Sequence, residues 1–403
     1  MSSIIPDSWH KKAINECCEI LDSLRIPLNS EERAKRKGNY PYYGANGIQG
    51  YIDDYIFEGD AILLAEDGGN FEQYADRPIA QWVTGKFWVN NHAHILRAKD
   101  GSYDKWIFYS LVHKNILKNI NGGTRAKLNQ SDLKEIEILL PPLQEQKKIA
   151  AILTSVDEVI EKTQQQIDKL QDLKKATMND LLTKGIGHTE FKDSELGRIP
   201  KSWEVNALKN LALVLFSNVD KKTNPSEKPV LLCNYLDVYK NINIKNGLDF
   251  MQATANQREI DKFSIKKGDV IITKDSEQPD DIAISTYVSE DFNNVLCGYH
   301  LAMIRPFKDK LHGKYLSYLF GLEKIQHNFY CLANGSTRFG LTSDAINNSL
   351  IYYAPISEQK KIADILNSMD KSIEEKQRKL EKIKDLKKGL MNDLLTGKVR
   401  VAA

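Results

Sequence analysis

Five cysteines in 403 residues (Cys17, Cys18, Cys233, Cys297 and Cys331) form no C-x-x-C pair. Their odd number and wide scatter argue against a disulfide framework and point to a reduced protein. Long apolar runs are also missing: none approaches the ~20 residues that span a bilayer. The stretch MSSIIPDSW lacks the basic and apolar regions of a signal peptide, so a cytoplasmic location without membrane attachment is expected. Charge of one sign is scarce too. With 56 Lys+Arg against 54 Asp+Glu the formal net charge is +2, so bulk charge does not announce a nucleic-acid partner as a domain of pI above about 9 would. Catalytic signatures are absent as well. The chain has no glycine-rich strand-to-helix loop of GxGxxG or P-loop form, no H-E-x-x-H and no G-x-S-x-G, and Asn224-Pro225 continues as NPSEK rather than as an amino-methyltransferase motif. An active site of its own is not expected.

What is present is a duplication. The run PLQEQKKIAAIL…MNDLLT (Pro142 to Thr183) aligns without a gap on PISEQKKIADIL…MNDLLT (Pro355 to Thr396), with 25 identities in 42 positions. Weaker echoes share the same order. NGGTRAKL (Asn121 to Leu128) answers NGSTRFGL (Asn334 to Leu341), GDAILLAED (from Gly59) answers GDVIITKD (from Gly268), and IPDSW (from Ile5) answers IPKSW (from Ile199). The order is module, helix, module, helix, and a period of roughly 200 residues is far too long for a solenoid unit. Identity is concentrated in the helices and fades within the modules.

Neither glycine nor proline interrupts Gln144 to Leu182. Apolar residues at three-four spacing mark Ile149, Ile152, Val156, Val159, Leu170 and Leu173 as a pairing stripe, matched in the second copy by Ile362, Ile365, Met369, Ile383, Leu386 and Leu390. Each helix of about 40 residues would be about 60 Å long. Two equivalent helices that pair through the same face are related by a two-fold axis and so run antiparallel, with a module at either end. The stripes turn polar at mid-helix (Thr163 and Gln166; Lys376 and Lys379), where these residues either fix the register or are simply solvated. A passive scaffold holding two domains apart would use the same rods.

Candidates for ligand contact are local. Arg33, Lys35, Arg36 and Lys37 form a basic run just before NYPYYGANG, where Tyr42, Tyr43 and Asn46 could meet bases while the cations meet phosphates; the tyrosines could equally pack a turn. In VNNHAHILR, alternation places His92 and His94 on one strand face. No third ligand stands out, so no metal site is expected. GYHLAMIRP repeats His92 and Arg97 as His300 and Arg305. Arg125 and Arg338 lie in the glycine-containing GTR and STR loops, where backbone could approach a phosphate or simply form a shared turn.

Taken with the linker LLTKGIGHTEFKDSELGRIPKSWEV (Leu181 to Val205), the two EQKKIA helices make the chain resemble, essentially end to end, the specificity subunit of type I restriction-modification systems. PYYGANGIQGYIDDYIFEGDAILLAEDGGN likewise resembles one of that family's target-recognition domains. The resemblance implies an α+β chain of two target-recognition domains separated by two long antiparallel coiled-coil helices in a pseudo-two-fold repeat. Residues 1–142 would be the first recognition domain, 143–199 the central spacer helix and linker, 200–355 the second recognition domain and 356–403 the C-terminal spacer helix. It further implies a non-catalytic subunit that binds double-stranded DNA, each domain reading half of a split site, and that docks two methylation subunits and, through the complex, restriction/translocase subunits. Cofactors are then expected on partners only: S-adenosylmethionine on the methylation subunits, ATP and magnesium on the restriction subunits. A 60 Å helix corresponds to roughly 18 base pairs of duplex, an upper bound on the site. Chemistry extends the DNA-contact candidates to Asn91, Lys127, Lys221, Lys222, Lys274 and Tyr299. With so little net charge, the chain should bind weakly alone, and tightly and with salt sensitivity only together with the methylation subunits.

Overall fold

The computed structural model describes residues 5–122, 126–278 and 281–401, and among these it shows two compact units, Met1–Gln165 with Gln377–Ala403, and Gln166–Lys376. In the first unit the central sheet consists of β1 (Cys18–Ile20), β2 (Ala61–Ala65), β3 (Ala80–Val83) and β4 (Ala93–Ala98), in the order β1-β4-β2-β3 with antiparallel neighbours. AILLA in β2 is buried at every position, as its unbroken apolar run requires of a strand covered on both faces. One face is covered by α1 (Asp104–Val112), whose Trp106 meets Trp9 edge to face at 5.5 Å. A second four-stranded sheet is built around the hairpin of Lys37–Gly44 and Gly47–Ile52. The unit is closed by His10–Ala13 pairing with Glu137–Leu140, the strand that leads into the long helix α2 (Leu143–Lys184).

The second unit repeats the plan with β5 (Ala212–Phe216), β6 (Asn243–Ile244), β7 (Val270–Thr273), β8 (Ser285–Val288) and β9 (Leu301–Pro306), ordered β5-β9-β7-β8-β6. Register ties the two sheets together: Ile62 pairs with Leu96 and Ala65 with Ala93 in the first, Val270 with Ile304 and Thr273 with Leu301 in the second. Helix α3 (Gly313–Phe320) takes the place of α1, and Glu204–Ala207 pairs with Leu350–Tyr353 ahead of the long helix α4 (Ile356–Leu395).

The motif EQ opens each long helix for a reason its sequence does not reveal. Gln146 accepts from the Tyr103 amide at 2.9 Å and donates to the carbonyls of Gly101 and Pro141. Gln359 does the same with the amide of His312 and the carbonyls of Lys310 and Ala354. Glu145 accepts the Trp9 indole N–H and both Nε and Nη2 of Arg400. Glu358 accepts the Trp203 indole N–H, the Ile186 amide and the His188 ring. Each Glu and Gln fastens its helix to its own module through otherwise orphaned backbone and indole groups. Past the far ends, Gly185 (φ 69°) and Gly397 (φ 74°) take the left-handed turn that closes a helix most cheaply at glycine.

Within each unit the two long helices run side by side in opposite senses. In the first, Asp157 meets Lys387 at 2.5 Å and Glu145 meets Arg400; in the second, Gln166 meets Lys376, Lys174 meets Asp370 at 2.5 Å and Glu358 meets His188. The Lys376–Gln166 bond of 2.8 Å gives that polar mid-helix pair a partner rather than solvent alone. The inward row, buried or half-buried, is Ile149, Leu153, Val156, Ile160, Thr163, Ile167 and Leu170, and its copy is Ile362, Leu366, Met369, Ile373, Lys376, Leu380 and Ile383. This corrects part of the stripe read from sequence. Val159, Leu173, Ile365 and Leu386 are 45, 55, 40 and 58% exposed, because each stands one residue, about 100° around the helix, from a position of the inward row: Ile160, Leu366, and the half-buried Lys174 and Lys387 that carry the row on. Ile152 and Leu390 pack on the core of the first module instead.

Candidate nucleic-acid interface

The basic run occupies the short helix Ser30–Lys35, opened by an Asn29–Glu32 capping box, and the turn after it. Two of its cations are held on aromatic faces. The Arg33 guanidinium lies 5.0 Å from the Tyr42 ring and donates to Gln49, and that of Arg36 lies 4.8 Å from Trp88 and pairs with Asp53. Lys35 and Lys37 are exposed. Tyr42 itself is fully buried, its hydroxyl held between the amide and carbonyl of Leu28, so as a DNA contact it is corrected to a core residue. Burial raises the Tyr43 hydroxyl above its ordinary pKa, and its ring packs on Phe87.

Around His92 several candidates converge. Asn46 donates to the Gly68 carbonyl, Asp67 lies 2.7 Å from His92 Nδ1, and a cleft of about 320 Å³ is lined by these residues and Gln49. Gln49 accepts from both Arg33 and Asn90, and Asn90 in turn accepts the His92 amide. The result is a polar row from the basic helix to His92. Asn91 is exposed beside it, and Lys127 reaches Glu66 at 3.2 Å while its backbone bridges to Asp67. Arg125 lies outside the described residues.

His92 and His94 do not share a strand face, since β4 begins only at Ala93 and His92 sits in the preceding turn. His94 is buried, its Nδ1 2.6 Å from Asp22 and its Nε2 2.9 Å from the Leu128 carbonyl. Asp22, Glu66 and His94 are close enough to hold a cation. Their donor atoms are already engaged, however: both His94 nitrogens face oxygen acceptors, Arg25 pairs with Glu66 at 2.7 Å, and Lys127 also meets Glu66. Burial pushes the Asp22 carboxyl up, but bonds from His94 and Ile95 and the nearby Arg25 charge outweigh it and hold it below the ordinary range. The chemistry is that of an ion-pair network.

In the second unit five residues gather. Asp275 accepts from His300 Nδ1 at 2.8 Å and from Arg338 Nη2 at 2.6 Å. Tyr299 stands edge-on to His300, and Lys274 lies 4.7 Å from the Tyr299 ring, donating to the Ser217 carbonyl. Burial lowers the Lys274 pKa and Asp275 opposes the shift. Lys221 and Lys222 are exposed on a separate loop. The residues missed from sequence are Gln49, Asp67, Asn90 and Asp275. The aspartates carried a usable signal, as the last residue of both GD echoes.

A family model described as the type I restriction modification DNA specificity domain matches the chain twice, over residues 6–172 and 200–385. The chain belongs to this specificity family. Among its relatives, the putative type I restriction enzyme MjaX specificity subunit of Methanocaldococcus jannaschii is 30% identical over 428 residues, covering 98% of this chain and 95% of that one. The putative specificity subunit S.HindORF215P of Haemophilus influenzae is 38% identical over 146 residues, 36% of either chain. The crystal structure of a type I restriction-modification S subunit from M. genitalium shares the fold at a TM-score of 0.63 and 15% identity, covering 98% of this chain and 97% of that one. In a specificity-family chain, the two polar clusters lie in the two matched domains, one in each.

Proposed function

We propose that this chain is the non-catalytic DNA-reading subunit of a type I restriction-modification complex, that each module reads one half of a gapped duplex site, and that the helices dock two methylation subunits. The observation that carries this reading is identity where packing does not demand it. Asp172, Leu173, Lys175 and Asn179 on α2 recur as Asp385, Leu386, Lys388 and Asn392 on α4, and all eight are exposed. An exposed leucine more than half open to solvent, kept twice among the same charges, suits one kind of partner engaged twice. The modules differ where the helices agree, as readers of two different half-sites would.

The test is to co-express the chain with its methylation subunit and map methylated adenines across the genome. A two-part motif with an unread gap is expected, and replacing residues 1–142 by another module should change one half alone. A continuous motif, or a replacement that altered both halves or neither, would overturn the assignment.

A further inference from the structure

Two readers of different half-sites share one thing in their ligand, the phosphodiester backbone. Whatever the modules keep at equivalent positions, beyond the needs of folding, should serve that common part. On and beside the paired strands β2–β4 and β7–β9, three pairs of polar residues are kept. Arg97 and Arg305 are accounted for by folding: Arg97 donates to the carbonyls of Glu58 and Asp60, and Arg305 forks onto buried Asp269. Asp67 with His92 and Asp275 with His300 are the other two, at the same register beyond paired strands, with N–O distances of 2.7 and 2.8 Å. These are open to solvent in part, with side-chain exposures of 34% for His92 and 30% for His300.

Resting on the DNA-reading function proposed above, we infer that the Asp–His pair of each module, joined in the second by Arg338, anchors a backbone phosphate of duplex DNA. Asp275 fixes His300 through Nδ1 and leaves Nε2 turned to the other side of the ring. The same carboxylate holds one nitrogen of Arg338, whose side chain is 55% exposed and whose Nε and Nη1 make no hydrogen bond among the described residues. A guanidinium held at one edge with its other donors open is the fork that phosphate oxygens accept. The loop that carries Arg338 is itself pinned, by reciprocal backbone bonds between Asn334 and Gly340, as the corresponding first-module loop is by Asn121 and Lys127. The adjoining position is not kept: Glu66 in the first module corresponds to Lys274 in the second. Identity and divergence therefore meet at neighbouring residues, anchor beside reader.

The test measures binding of the full-length chain to fluorescein-labelled duplexes of unrelated sequence, over salt from about 50 to 200 mM. Arg338→Ala should weaken binding about tenfold on every duplex, the loss of one hydrogen bond to a charged group, and reduce the slope of log affinity against log salt by about one. Arg338→Lys should keep the slope, since the charge remains, and lose part of the affinity. His300→Ala should weaken binding uniformly by a smaller factor. Unchanged affinity and slope in Arg338→Ala, or a loss confined to one duplex sequence, would overturn the anchor and leave the subunit assignment standing. A wild-type chain that directs gapped methylation in its complex keeps that assignment; one that binds no duplex at any salt and directs none sinks it. If Arg338→Ala melts early, Arg338→Lys decides, and a lost slope there counts against the anchor.

Discussion

Glu145 accepts the indole N–H of Trp9 at 3.0 Å across 136 residues of chain. Burial pushes this carboxyl up, yet the bonds from Arg400 and Trp9 prevail and hold it below the ordinary glutamate range. Its contribution to stability is therefore complete above the unfolded pKa of about 4.5 and is lost as pH falls through the lower folded value. Glu145→Ala leaves a buried indole donor and should cost about 2 kcal/mol at neutral pH. Calorimetry of the full chain should also show a shallower loss of stability between about pH 5 and 3.

Asp157 and Asp370 occupy equivalent helix positions with different burial. Asp370 accepts the Tyr318 hydroxyl at 2.6 Å and pairs with Lys174, with 3% of its side chain exposed; Asp157 serves Tyr109 and Lys387 with 35% exposed. Asp370→Ala should destabilise the second unit by about 3 kcal/mol, because it strands the buried Tyr318 hydroxyl and the half-buried Lys174 ammonium. Asp157→Ala should cost the first unit about 1 kcal/mol. Equal shifts in denaturation for the two variants would contradict this ranking.

Lys314 is buried under the rings of Tyr287 and Tyr318, with Asn243 as its hydrogen-bond partner. Burial brings its pKa down to about 8, against the pull of Asp370 and Glu374 and with the push of Lys174. The unfolded chain keeps that proton to higher pH, so stability should rise from about pH 8 toward 10, by at most about 3 kcal/mol from this group. Above about pH 10 the trend reverses, because burial raises Tyr287 and Tyr318 and their unfolded forms ionise first. Lys314→Met should flatten the rise in a series of melts.

Leu173→Asp and Leu386→Asp place a charge on exposed leucines that no described core requires. Each single variant should fold normally, with stability changed by less than about 0.5 kcal/mol. If these leucines seat methylation subunits, each variant should retain one of two and the double variant none, measured as mass of the purified complex. Full occupancy in the double variant would move the docking face elsewhere.

The plan of the chain was legible because duplicated segments advertise themselves: EQKKIA and the IPxSW pairs each mark an element the structure places equivalently. Less legible was which face did what. Val159 and Leu173 are apolar at plausible spacing, yet a shift of one residue separates a seam from an outward row. Between base contact and packing, the sequence leaves Tyr42 open, because the backbone groups of Leu28 that fix it lie 14 residues away. The aspartate partners of His92 and His300 lie two residues past the ends of β2 and β7, more than 20 residues earlier in the chain, so nothing beside those histidines in the sequence announces them.

The clasp between Glu145 and Arg400 spans 255 residues. A ribosome adding about 5–20 residues per second needs on the order of ten to fifty seconds to cover that distance. For that interval the first module has emerged while the helix segment that completes its unit does not yet exist, and Ile149 and Leu153 lack their final cover. The first unit is thus completed only after synthesis has passed through the whole of the second.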